Sequence, residues 1–268
     1  MSNGEVLLER AGGVATVTLS RPQRRNAVNA GFWDLLGQRL VEAADDPPRA
    51  LILTGCDGHF SAGLDIKPDN PLLARVLPIV QKKDAAAARA LVQELRSVCD
   101  LLAGFPAPTI AAIEGSCIGI GLELALACDL RVAAHDAVFA LPELRLGLAP
   151  DLGGTVRLER LVGPGKAALL ALACQRWNGT RAHRAGLVEI MCDPGQALAQ
   201  AALLATEIRA GAPTAARGVL HVIRASHDLD LDDALTLETE AGANALLSGE
   251  PLEGLMARQA GKSPRWND

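Results

Sequence analysis

The sequence predicts an α/β protein, a largely parallel sheet with helices on its faces, from three observations. Short apolar runs rich in β-branched residues, such as RALILTG and PTIAAIEG, alternate with segments whose apolar residues recur at helical spacing. That alternation calls for crossover connections between parallel strands. A chain of 268 residues, 49% hydrophobic and 21% charged, is long and apolar enough for one large core, and it contains no repeat of solenoid period.

The elements follow in order. EVLLERAGGVATVTLSR reads as two short strands about Ala11-Gly12-Gly13, because β-branched residues alternate at Val14, Thr16 and Thr18. After the turn-forming RPQRRN, Phe32, Leu35, Leu36, Leu40 and Ala43 mark one face of a helix over 31–44, which ends before Asp45-Asp46-Pro47-Pro48. RALILTG is then a buried strand. KPDNPLLARVLPIVQKK, from Lys67 to Lys83, holds three prolines and mixed polarity, and is expected to be a mobile loop near the site. A helix over 84–103, the strand PTIAAIEG, a helix over 119–128, the strand DLRVAA and further helices after Gly153 complete the core. From about Pro194 the pattern is helical, broken at Gly211-Ala212-Pro213 and at Ser248-Gly249-Glu250-Pro251. The expected division is a core over 1–193 and a helical region over 194–268.

Composition narrows the function. A formal charge of −5 provides no global positive field for nucleic acid. No uncharged apolar run reaches the roughly 18 residues of a membrane span, and MSNGEVLLER lacks the basic and apolar regions of a signal peptide, so a cytoplasmic protein is expected. Six cysteines without a CxxC pair and five histidines without HExxH spacing suggest no metal site; the thiols are expected to be reduced and mostly buried, and His221 and His227 to be solvated.

The stretch GSCIGIGLELALACDLRV, Gly115 to Val132, carries the chemistry. It mimics a nucleophile elbow with Cys117 in the serine place, but no histidine follows suitably, and a small cysteine packs well there. Gly119-Ile120-Gly121 begins a dinucleotide fingerprint whose third glycine is replaced by Leu124, and Gly163-Pro164-Gly165-Lys166 lacks the remaining residues of a phosphate loop and reads as a helix start. What remains is a helix beginning near Ile120, whose free N–H groups and positive dipole end stabilise an anionic oxygen. HFSAGLDIK turns at Ala62-Gly63 after another strand and presents the N–H of Leu64. Two such donors converging on one oxygen form an oxyanion hole, each worth about 3 kcal/mol of transition-state stabilisation. Glu123 lies one turn into the helix, and a charge in so apolar a run is costly unless it meets a polar cavity or gains a raised pKa. The alternative is a solvent-facing glutamate.

Several ordered segments together carry a resemblance: RPQRRNAVN, LILTGCDGHFSAGLDIK, IEGSCIGIGLELALACDLRVAA, FALPELRLGLAPDLGGTVRLERLVG and EGLMARQAGKSPRW. Through them the chain resembles the enoyl-CoA hydratase/isomerase (crotonase) superfamily nearly end to end. The resemblance implies a spiral of ββα units with a C-terminal helical trimerisation region, a homotrimer or dimer of trimers, and an acyl-CoA thioester substrate, with no cofactor beyond the coenzyme A of the substrate and no metal. It puts the oxyanion donors on Leu64 and Ile120 and the catalytic acids of a hydratase on Glu123 and Glu143. It puts coenzyme A contacts along Ala62, Gly63, Asp65, Ile66 and Gly119 and beside Ala27, with Lys67, Arg24 or Arg25, and Lys262 near the phosphates. Two departures stand out. Ile120 replaces the middle glycine of a triplet, and its side chain is expected to narrow or redirect the pocket. Asp151, in APDLGGT, falls where typical hydratases have glycine and some isomerases their working acid; it reads first as an N-cap of the helix beginning near Gly153, and second as that acid. Hydration of a trans-2-enoyl-CoA is therefore the first expectation, double-bond migration the second, and a non-catalytic acyl-CoA binder the third.

Overall fold

The Gly12-Gly13 turn folds β1 (Glu5–Ala11) back on β2 (Val14–Ser20), with Ala11 opposite Val14. The computed structural model describes residues 4–266; Met1-Ser2-Asn3, the start of the segment read above for leader features, lie outside them. Asn29 caps α1 (Ala30–Asp45), its side chain accepting the Phe32 N–H at 2.8 Å. β3 (Ala50–Gly55) then runs parallel to β2.

The segment expected to be a loop contains a helix, α2 (Pro71–Lys82), followed by α3 (Ala85–Ala103). Two of its prolines precede or open the helix: Pro68 lies in the approach and Pro71 at the first helical position, where a missing N–H removes no hydrogen bond. The Asn70 side chain accepts from Leu72 N–H at 3.0 Å, and only Pro78 sits inside. Lys83, left-handed at φ 52°, ends the helix, and Asp84 caps α3.

β4 (Thr109–Ile113), β5 (Ser116–Ile118) and α4 (Ile120–Ala127) form one turn of a ββα spiral, and β6 (Leu130–Ala134), β7 (Val138–Ala140) and α5 (Gly154–Val162) the next. α6 (Pro164–Ala171), β8 (Trp177–Asn178), α7 (Gly179–Ala185) and β9 (Ile190–Cys192) complete it. The strands fall into a six-stranded sheet, β1-β2-β3-β4-β6-β9, parallel from β2 onward, and a three-stranded sheet, β5-β7-β8. Each turn thus places one strand in each sheet before its helix.

Apart from Thr54 and Thr109, strands β3 and β4 are apolar, because both faces are covered. Leu51, Leu53, Ala111 and Ile113 face the main core, whereas Ala50, Ile52, Ile110 and Ala112 meet Ala197, Ala201 and Ala205 of α8 (Ala197–Arg209). Small residues every four positions let that helix lie close on the sheet.

α9 (Pro213–Ala225), α10 (Leu231–Leu247) and α11 (Glu250–Gln259) follow. Arg224 ties α9 to the core: its guanidinium donates to both Asp129 carboxylate oxygens at 2.7 Å and to the Phe105 carbonyl, while Asp129 also accepts from the Thr109 N–H and hydroxyl. No residue of α10 is buried in the single chain. Among the described residues, no helix is long and apolar enough to cross a membrane.

Candidate active site

The site begins where the two sheets meet. Ser61 and Cys117 form a parallel bridge: Ser61 N–H donates to the Ser116 carbonyl at 2.7 Å, and Ile118 N–H to the Ser61 carbonyl at 3.0 Å. Each chain leaves this register into a bend, one reaching Leu64 and the other Ile120. The bends touch at Gly63, where φ is +85° and a Cβ would lie 2.6 Å from the Ile118 carbonyl oxygen. Only glycine combines that conformation with that approach. Ile120 opens α4, so its N–H has no helical acceptor, and neither it nor the Leu64 N–H donates to any other group among the described residues.

The first bend is braced from beneath. Arg21 donates to the Asp65 carboxylate and to the Ala27 carbonyl, at 2.7 and 2.8 Å, with both side chains buried. Burial alone would raise the Asp65 pKa, but the Arg21 hydrogen bond, the Lys67 N–H and the Arg21 charge hold it below the ordinary carboxylate value. The Asp65 carboxylate is thus engaged by Arg21 and the Lys67 N–H, one residue beyond Leu64.

Glu123 is 1% exposed, on a helix buried all round. Its Oε1 accepts the N–H groups of Leu152 and Gly154, at 2.9 and 3.0 Å, at the start of α5. Burial still dominates: it pushes the carboxyl up to about 7, against those two hydrogen bonds and helped by the charges of Glu143 and Asp151. Glu143 begins a 3-10 turn, Glu143–Leu146, that reaches back over α4. Its Oε1 lies so near Gly119 that a Cβ there would sit 2.6 Å away, and its Oε2 is buried without a hydrogen-bond partner among the described residues. Burial, then the Asp151 charge, raises its pKa. Asp151 is not the N-cap of α5: Gly153, left-handed at φ 99°, holds that position and no side chain caps the helix. The Asp151 carboxyl instead borders the same cavity, with its own pKa raised by burial.

That cavity, about 550 Å³, joins the pieces. Glu123, Glu143, Asp151, Leu64 and Ile120 line it together with Ala62, Gly63, Ile66 and Gly119. The model of the enoyl-CoA hydratase/isomerase family matches residues 9–268 of the chain. The chain belongs to the enoyl-CoA hydratase/isomerase family. It is 36% identical over 260 residues to the human enoyl-CoA hydratase domain-containing protein 2, mitochondrial, covering 95% of this chain and 85% of that one. It is 35% identical over 246 residues to the short-chain-enoyl-CoA hydratase of Clostridium acetobutylicum, covering 90% and 89%. The crystal structure of an enoyl-CoA hydratase from Bacillus anthracis superposes with a TM-score of 0.88 at 29% identity, covering 98% of both chains. The fold is thus that of the crotonase superfamily.

Within this family framework the remaining candidates separate. Ala27 is buried, with its carbonyl bonded to Arg21, and the Ala62 N–H donates to the Arg25 carbonyl, which binds these two stretches side by side. Arg25, Ile66 and Lys67 are exposed beside the bend, and Arg24 pairs with Asp69 at 3.4 Å. Lys262 is not among the residues lining that cavity; Arg265 and Trp266, farther along the chain, line a separate one with Arg10, Pro47 and Arg217. Cys117 is buried, and burial pushes its thiol well up, so it packs rather than reacts. All six cysteines are unpaired, and no group of three or more His, Cys, Asp or Glu among the described residues is arranged to hold a metal ion. The sequence reading missed Arg21, the Leu152 and Gly154 N–H groups, and the wall that α2 lends to the cavity.

Proposed function

We propose that this protein hydrates trans-2-enoyl-CoA thioesters. The observation that carries the reading is two buried glutamates in one cavity, their pKa values raised by that burial, beside two N–H groups that no acceptor among the described residues uses. A thioester oxygen between Leu64 and Ile120 gathers negative charge as C3 is attacked, and the fixed donors stabilise it without reorganising. Glu123 has one oxygen held by two N–H groups, which leaves the other to orient and deprotonate water; Glu143 is the donor of the proton to C2. A carboxyl near pH 7 suits either half of that exchange.

Coenzyme A fits along Ala62–Lys67, with Arg25 and Lys67 toward its phosphates. We read α9–α11 as the subunit contact of a trimer or a dimer of trimers, because α10 buries nothing alone while Leu231, Leu246 and Leu247 are mostly exposed. Double-bond migration is the second reading, favoured by the Asp151 carboxyl, which caps no helix and borders the cavity. Asp151→Asn separates the two. Followed by mass spectrometry, hydration adds the mass of water, whereas migration adds none. Persistent hydration supports the first reading. Loss of migration, with no product bearing added water in either protein, supports the second.

A further inference from the structure

We propose that the substrate's acyl tail runs between α2 and α3, and that the preferred thioesters carry unsubstituted aliphatic chains of medium length, about eight to twelve carbons. The inference rests on the enoyl-CoA reading of the site and adds the chain length.

Nine cavity-lining residues come from these two helices, and all are aliphatic. On α2 they include Leu72, Val76 and Ile79, and on α3 Ala88, Leu91 and Leu95, the spacing of one helical face turned inward. The helices form an antiparallel hairpin across Lys83 and Asp84, pinned midway by the two hydrogen bonds from Arg75 to Glu94, at 2.7 and 2.6 Å. One end adjoins the reacting groups: Asn70, which caps α2, donates to the Asp65 carbonyl at 2.7 Å, one residue beyond Leu64. Leu72 and Leu95 mark that near end, and Ile79 and Ala88 the far one.

The seven-residue step from near to far spans about 10 Å at ~1.5 Å per residue. A carbon–carbon bond of ~1.5 Å advances an extended chain by about 1.25 Å, so the groove takes about eight methylenes beyond its near end. Volume agrees. At ~30 Å³ for each water-sized group, 550 Å³ holds about 18 of them, and a four-carbon acyl thioester fills less than half. A short chain therefore leaves aliphatic walls without contacts, and that part of the wall offers no polar side chain for water or for a hydroxylated or charged tail. Val80, at the far end, is 64% exposed, so the groove opens to solvent there and carbons beyond it gain nothing.

The test measures dissociation constants of saturated butyryl-, hexanoyl-, octanoyl-, decanoyl- and tetradecanoyl-CoA by calorimetry, alongside kcat/KM for the matching trans-2-enoyl thioesters. Affinity is expected to rise about 4-fold per added methylene and to level off near the decanoyl length. Ala88→Phe, which fills the far end, is expected to lower the decanoyl-to-butyryl affinity ratio at least tenfold. Val80→Trp, at an exposed position that does not threaten folding, is expected to lower it in the same direction. Equal affinity for butyryl- and decanoyl-CoA, or a ratio unmoved by both substitutions, overturns the chain-length inference while leaving the enoyl-CoA reading intact. If no thioester of any length binds, that reading falls and the inference with it.

Discussion

Replacing Glu123 by Gln removes a charge but keeps a side chain of the same shape, with an oxygen still able to accept the Leu152 and Gly154 N–H groups. Burial moves this carboxyl from 4.5 to about 7, a difference worth about 3 kcal/mol at 1.36 kcal/mol per pH unit. Its sign follows from proton counts. Between those two values the folded chain keeps a proton that the unfolded chain has lost, so rising pH favours unfolding. The contribution is fully present below 4.5 and lost as pH passes through 7. Glu123→Gln escapes the loss. Its stability relative to wild type should therefore grow by about 3 kcal/mol between acid and mildly basic pH, or about 6–12 °C in Tm for a chain of this size. Thermal and urea unfolding of both proteins at matched concentration, across that pH range, reads this difference directly. Parallel stability curves, or a glutamine variant less stable than wild type at basic pH, refute the claim that burial governs this carboxyl. Activity should move oppositely, with hydration falling by about 10²–10⁴-fold.

Other outcomes follow from the same geometry. Ile120→Pro deletes one oxyanion donor at a first helical position that tolerates proline; kcat should fall about 10²–10³-fold, whereas Ile120→Val, measured in parallel, retains the N–H and most of the rate. Arg224→Met leaves Asp129 partly buried without its cation and unties α9 from Phe105; a loss of about 2–4 kcal/mol is expected in calorimetry or urea unfolding, and an unchanged Tm would remove this network from the account.

The sequence was most readable where burial leaves no choice. The runs ALIL and IAAI within RALILTG and PTIAAIEG are apolar on both faces because α8 covers one face of their sheet and the main core the other. Glu123 stood out for the complementary reason, a charge where every neighbouring side chain is apolar. Proline misled the reading of 67–83, since Pro71 opens a helix as readily as it breaks one, and the inward spacing of Leu72, Val76 and Ile79 went unweighed. Asp151 stayed ambiguous because the neighbouring Gly153 takes the cap position, a choice set by backbone conformation. Arg21 and Asp65 lie 44 residues apart, and Glu123 is held by N–H groups 29 and 31 residues away; pairings of that range leave no local pattern.

The grip of two backbone amides on one thioester oxygen is tested most directly by a crystal structure with a bound saturated acyl-CoA. The carbonyl oxygen should lie about 3 Å from the nitrogens of both Leu64 and Ile120, with the Glu123 and Glu143 carboxyls flanking C2 and C3. A carbonyl turned away from either nitrogen, or seated outside the cavity that holds the two glutamates, would contradict the account.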